Sequence, residues 1–222
     1  MDFTGIIAEY DPFHNGHAAQ IAAVRAAGAQ CIAVCMSSGA VQRGGVPILP
    51  ERVRVQAALA AGADIVIALP APYACSTAEQ FAAAGVYLLA ALGCDTLAFG
   101  AETPDAGALL DAARLLQCEE IDDVIRKNLA TGMTYAAARA EAADTLRPGT
   151  GTLLRTPNNI LGIEYCKAIL AQHTPLTPFA LPRLGAAHGG GAGEHAGTPM
   201  ASASFLRSLP QPDWEPFVPA RA

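Results

Sequence analysis

Apolar residues follow two alternating rhythms along the first hundred positions. Four short runs are almost continuously apolar: TGIIAE (4–9), CIAVCMS (31–37), DIVIALP (64–70) and DTLAFG (95–100). Runs of that length without polar alternation predict strands covered on both faces. Between them the apolar positions spread to helical spacing. The spacing predicts a helix over 16–28, ended by Gly28, and a second over 50–62, with Pro50 near its start and Gly62 after its end. A third helix is predicted over 77–93, opened by Thr77 as N-cap with Gln80 three residues on. Strand and helix alternate four times. That alternation predicts an α/β chain built on a Rossmann-like parallel sheet with right-handed crossovers. In such sheets ligands sit in the crevice beyond the carboxyl ends of the strands.

From 104 to 147 the pattern is helical throughout and reads as a helical insertion packed on the sheet. PGTGT (148–152) reads as a loop and TPNNILGIEYCKAILAQ (156–172) as another helix. LTPFALPRL (176–184) predicts an edge strand broken by prolines, since proline cannot donate to a central ladder. The glycine-rich run at 185–197 is expected to be mobile, and ASASFLRSL (201–209) to begin a last helix. One catalytic domain over 1–209 is expected, followed by a proline-rich tail or linker over 210–222. No internal repeat is visible.

Composition narrows the class of function. Of 222 residues, 52% are apolar and 15% charged, enough for a sizeable core. The net charge is −6, and Lys127 and Lys167 are the only lysines, so no basic block announces a nucleic-acid surface. The longest nearly apolar run, FAAAGVYLLAALG, is too short to span a bilayer, and the first residues lack the pattern of a signal peptide. Six scattered cysteines form no CxxC pair and are expected as reduced core residues of a cytoplasmic protein.

Candidate chemistry concentrates in EYDPFHNGH, at the handover from the first strand to the first helix. A helix start presents free N–H groups and partial positive charge, which suit phosphate. Imidazoles at His14 and His17 can donate to phosphate oxygens, and a phosphate neighbour favours the charged ring. Gly16 admits close approach to the backbone. The chemistry this suits is nucleotidyl transfer, with attack on the α-phosphorus of a nucleoside triphosphate and loss of pyrophosphate. Two blander readings stay open. A histidine at a helix start can simply be a cap, and two histidines can be zinc ligands, although no CxxC or carboxylate pair completes a tetrahedron.

HxGH on a first β–α turn resembles the HIGH-type nucleotidyltransferases, and ASASFLR loosely resembles their second signature, with Ser202, Ser204 and Arg207 placed for the leaving phosphates. A longer series of segments resembles the bacterial tRNA(Met) cytidine acetate ligases: GIIAEYDPFHNGH, MSSGAVQRGGVP, GADIVIALP, AEQFAAAGVYLLAALGCDTLAFGAE and PNNILGIEYCKAI, in that order. The resemblance runs from about residue 5 to 207. It implies activation of acetate with ATP and Mg²⁺ as acetyl-adenylate, then acetylation of N4 of the wobble cytidine in elongator tRNA(Met). It further implies an ATP site at Ile7, Ala8, Glu9, Tyr10, Asp11, Pro12, Phe13, His14, Asn15, Gly16, His17 and Gln20, with Gly100, Asn158 and Arg183. Gln42 and Arg43, after the second strand, are candidates to face acetate or RNA. Asp11 stands where that family usually has asparagine, and Ala68 where it has glutamate. The family's C-terminal region, implied to help hold tRNA, is expected to be missing from these 222 residues. An adenylyltransferase for a small phosphorylated metabolite and a nucleotide-binding module without catalysis are the alternatives.

Overall fold

The computed structural model describes residues 1–42, 44–183 and 191–219. Five parallel strands form the main sheet: β1 (Phe3–Ala8), β2 (Cys31–Ser37), β3 (Ile65–Leu69), β4 (Thr96–Ala101) and β5 (Thr177–Pro182). Their order is β3-β2-β1-β4-β5, and each neighbouring pair is parallel. The chain therefore starts in the middle, winds outward to β3, and crosses back to lay β4 on the other side of β1. Between the carboxyl ends of β1 and β4 the connections leave in opposite directions, and a crevice opens there. The proline-broken β5 is an edge strand, as expected, where missing N–H donors cost no ladder bond.

Successive side chains of a strand point to opposite faces, and β1 shows the consequence. Ile6 packs with Ile21, Val24 and Ala57 from α1 (Asn15–Ala26) and α2 (Glu51–Ala60). Ile7 packs on the other face with Val86 and Leu89 from α3 (Ala78–Leu92) and Ile163 from α8 (Pro157–Ala171). Glycines let this second layer come close. A Cβ at Gly85 of α3 would stand 2.6 Å from Cδ1 of Ile7, and one at Gly162 of α8 would stand 2.7 Å from the Phe99 ring. Thr77 caps α3 by accepting from the Gln80 N–H, as the sequence pattern indicates.

The helical stretch after β4 resolves into α4 (Ala106–Leu115), α5 (Glu119–Ala130) and α6 (Tyr135–Leu146). Their buried faces join the same core as α3 and α8. Glu164 of α8 is buried there and neutralised by Arg139 and Lys167.

Three segments differ from expectation. The run expected as a loop at 148–152 holds a single helical turn, α7 (Thr150–Leu153). In the glycine-rich run expected to be mobile, β6 (Ala192–His195) pairs antiparallel with β7 (Thr198–Ala201), because the turn between them places Gly197 at φ 78°, where glycine carries no steric penalty. Residues 185–190 of that run lie outside the described residues. The proline-rich stretch expected as a tail forms a 3-10 turn over Gln211–Phe217 beyond α9 (Ala203–Arg207). Trp214 buries its ring against Ala201 and Leu206 and donates from Nε1 to the Leu206 carbonyl at 2.7 Å. One large aromatic gives a short segment enough apolar surface to fold back.

Candidate active site

The turn after β1 is built by burial and local hydrogen bonds. Tyr10 takes a left-handed backbone (φ 52°) and buries its ring 4.8 Å from those of Phe13 and His17. His14 is the N-cap of α1. Its Nδ1 accepts from the Gly16 N–H at 3.1 Å, and Nδ1 of His17 accepts from the His14 N–H at 3.3 Å. The cap reading of these histidines is thus met by this geometry. With each Nδ1 occupied as an acceptor, the ring proton of each neutral imidazole sits on Nε2. The rings stack with centroids 3.6 Å apart. Burial, with the Arg183 cation nearby, pushes His14 down to about 4. Burial, His14 and Arg183 together hold His17 well below the usual histidine range. At neutral pH this is a pair of neutral Nε2–H donors at a helix start.

The C-terminal segment forms one wall of the crevice and is tied to this turn. Asn15 donates from Nδ2 to the carbonyls of Pro199 and Pro216, at 2.9 and 3.0 Å. Arg207 donates to the Asp11 carbonyl and lies 3.7 Å from the Asp11 carboxylate, which also accepts from the Ile48 N–H at 2.7 Å. The carboxylate at 11 is thereby neutralised within the protein. Ser202 caps α9 by accepting from the Phe205 N–H, and Ser204 accepts from Arg207.

The opposite wall comes from the ends of β4 and β5 and the start of α8. Gly100 lies at the end of β4, and a Cβ built there meets nothing within 4 Å, so the space it faces is open. Asn158 opens α8 and donates from Nδ2 to Oε1 of Glu102 at 2.7 Å. Arg183 follows β5. Its buried Nη1 makes no hydrogen bond to any described residue and lies 3.7 Å from Oε1 of Glu102. A buried guanidinium nitrogen left with an open donor fits an anion in the crevice.

Two residues that sequence reasoning missed hold this geometry. Glu102 ties the loop after β4 to α8. Arg54 of α2 is 1% exposed and donates to the carbonyls of Glu9, Ser37, Ser38 and Leu49, gathering the ends of β1 and β2. Glu9 in turn accepts from the Gln42 N–H at 2.6 Å, which places the loop after β2 at the crevice. Arginine on a helix carries no signal of burial in a single sequence. Glu102 does sit inside the FGAE segment, so its position was visible while its partners were not.

A cavity of about 670 Å³ results. It brings together Ile7, Ala8, Glu9, Tyr10, Asp11, His14, Gly16, His17 and Gln20 with Gly100, Asn158, Arg183, Ser202, Ser204, Arg207 and Gln42. Pro12, Phe13 and Asn15 do not line it. Pro12 and Phe13 face a smaller apolar pocket beside Trp214, and Asn15 holds the C-terminal wall. Arg43 lies outside the described residues. Among the described residues no group of three or more His, Cys, Asp and Glu side chains could hold a metal ion. None of the described helices is long and apolar enough to cross a membrane.

The family model for HIGH nucleotidyl transferases matches residues 1–221 of this chain. The chain belongs to the HIGH nucleotidyltransferase family. Within it, the chain is 44% identical over 195 residues to the tRNA(Met) cytidine acetate ligase of Syntrophotalea carbinolica, covering 85% of this chain and 46% of that protein. It is 40% identical over 210 residues to the ligase of the same name from a Geobacillus species, covering 93% and 52%. Among solved structures, Thermotoga maritima TmcAL bound with alpha-thio ATP superposes with a TM-score of 0.86 at 28% identity, over all of this chain and 54% of that one. Its apo form superposes with a TM-score of 0.88 at 27% identity, again over all of this chain and 55% of that one. This nucleotidyltransferase chain spans about half the length of the relatives it matches.

Proposed function

We propose that this HIGH nucleotidyltransferase activates acetate with ATP as acetyl-adenylate and serves acetylation of N4 of the wobble cytidine in elongator tRNA(Met). The observation that carries the reading is the pairing of the two Nε2–H donors with the unsatisfied Nη1 of Arg183 across one cavity. The likeness to the acetate ligases supports the choice of acetate and tRNA. ATP would place its triphosphate between the start of α1 and the wall that carries Ser202, Ser204 and Arg207. An acetate oxygen attacks the α-phosphorus, the bond to the bridging oxygen breaks, and pyrophosphate leaves with that electron pair. His14 and His17 donate to oxygens on which charge develops. The carboxylates of Glu9 and Asp11 already accept backbone amides, so Mg²⁺ would be held chiefly by phosphate oxygens and water. In the second step the cytidine amine attacks the acetyl carbon and AMP departs. No covalent enzyme intermediate is required, and burial pushes the thiols of Cys35, Cys94 and Cys166 up to about 12, far from nucleophile chemistry.

The test is exchange of labelled pyrophosphate into ATP with Mg²⁺, with and without acetate. Acetate-dependent exchange is expected, and His17→Ala should lower it about a hundredfold while changing ATP affinity little. ATP binding without acetate-dependent exchange would overturn acetate as the nucleophile. Exchange that depends instead on a phosphorylated metabolite would point to the adenylyltransferase reading.

A further inference from the structure

Glu102 does not line the cavity, yet it touches the cavity residues that close the crevice opposite the histidines. Its Oε1 accepts from Asn158 Nδ2 at 2.7 Å, its Oε2 accepts from the Asn159 N–H at 2.9 Å, and Arg183 Nη1 lies 3.7 Å away. A carboxylate only accepts, so the amide nitrogen of Asn158 must be the atom turned toward it. No described residue donates to the other end of that amide, Oδ1, although Asn158 lines the cavity. The same carboxylate thus leaves one acceptor and one cation facing the ligand. They suit different halves of a nucleotide. Nη1 of Arg183 suits phosphate. Oδ1 cannot bond a phosphate oxygen and suits an N–H or O–H donor, which a nucleotide carries only on its base and its sugar.

We infer that Glu102 is a positioning residue that orients the Asn158 amide so that its Oδ1 accepts from a donor on the nucleoside half of the nucleotide. The inference rests on the proposal that this cavity takes ATP. The Asn159 N–H is main chain and cannot turn, so a glutamine at 102 keeps its oxygen for it and sets its amide N–H against Asn158 Nδ2. The Asn158 amide then turns its Oδ1 to that N–H, and Oδ1 is lost to the ligand.

The experiment measures equilibrium binding of ATP, purine riboside triphosphate, 2′-deoxy-ATP and 3′-deoxy-ATP to the 222-residue chain and to Glu102→Gln, Asn158→Ala and the double variant. The wild-type chain should bind ATP about tenfold more tightly than the analogue that lacks the recognised donor, the exocyclic amine or one ribose hydroxyl. Glu102→Gln should bring ATP down to that analogue's affinity and leave the analogue itself unchanged. The double variant should be no weaker than either single one, because both remove the same contact. Equal loss for all four ligands would reduce Glu102 to a structural cap on α8 and overturn the inference. Equal binding of all four by the wild-type chain would overturn it as well. Failure of the wild-type chain to bind ATP would instead remove the functional reading beneath it. Circular dichroism checks each fold. If Glu102→Gln does not fold, Glu102→Asp keeps the charge and shortens the reach by one methylene, and the same pattern of selective loss is required of it.

Discussion

At the residue scale, His14 ties the proposed chemistry to the fold. It caps α1 through Nδ1, and on the proposed function its Nε2–H is the donor to the ligand. Its stability contribution depends on pH in a definite direction. Burial, with Arg183 nearby, holds folded His14 down to about 4, whereas an unfolded histidine titrates at about 6.5. Between these values the unfolded chain carries the extra proton. Stability is therefore full above about pH 6.5 and falls as pH drops toward 4, by on the order of 3 kcal/mol for this group. His17 acts in the same sense. Urea titrations at several pH values should show the loss. They should show less of it in His14→Asn, whose side-chain oxygen can still accept from the Gly16 N–H. Gly100 gives the complementary case. Added bulk there meets no protein atom within 4 Å. Gly100→Val should leave the unfolding midpoint nearly unchanged and weaken ATP binding about tenfold, read by calorimetry. A lost midpoint with intact binding would show that the open space is not the ligand's.

At the element scale, the second helical layer is set by glycines. Gly85 of α3 rides over Ile7, a strand residue that lines the cavity. A methyl at 85 must push α3 outward or force Ile7 off its rotamer. Gly85→Ala should destabilise the chain by about 1–3 kcal/mol in chemical denaturation. A neutral result would mean that α3 can shift freely, against the close approach seen here. The C-terminal wall is stabilised differently. Its elements are short, and Trp214 and the two Asn15 hydrogen bonds supply what their length cannot. These were the segments whose sequence was misleading. A four-residue strand and a seven-residue turn bear too little periodicity to register, and prolines there mimic a linker.

At the scale of the whole molecule, the two faces of the sheet carry separate cores, and the crevice lies where β1 and β4 part. A nucleotide there would touch α1 on one face and α8 on the other. Binding confined to the folded chain should raise its stability by about 2.7 kcal/mol at a hundredfold excess of ATP over Kd. A thermal-shift series against ATP concentration measures this. An unchanged midpoint at saturating ATP would exclude binding to the folded state alone.

Much of this was present in the order of residues. Each of the four apolar runs is a strand, the first two intervening helices end within a few residues of Gly28 and Gly62, the third opens at Thr77, and HNGH does open the first helix. Those features depend on near neighbours, through side-chain period and local capping, and a sequence displays them directly. The tertiary structure alone decided which candidates meet. It turned Pro12, Phe13 and Asn15 away from the cavity, neutralised Asp11 with Arg207, and recruited Arg54 and Glu102 as supports. It also set the protonation of the histidine pair. Burial and the choice of hydrogen-bond partner depend on groups far apart in the chain. Asp11 and Arg207 are separated by 196 positions, so no local pattern encodes their pairing.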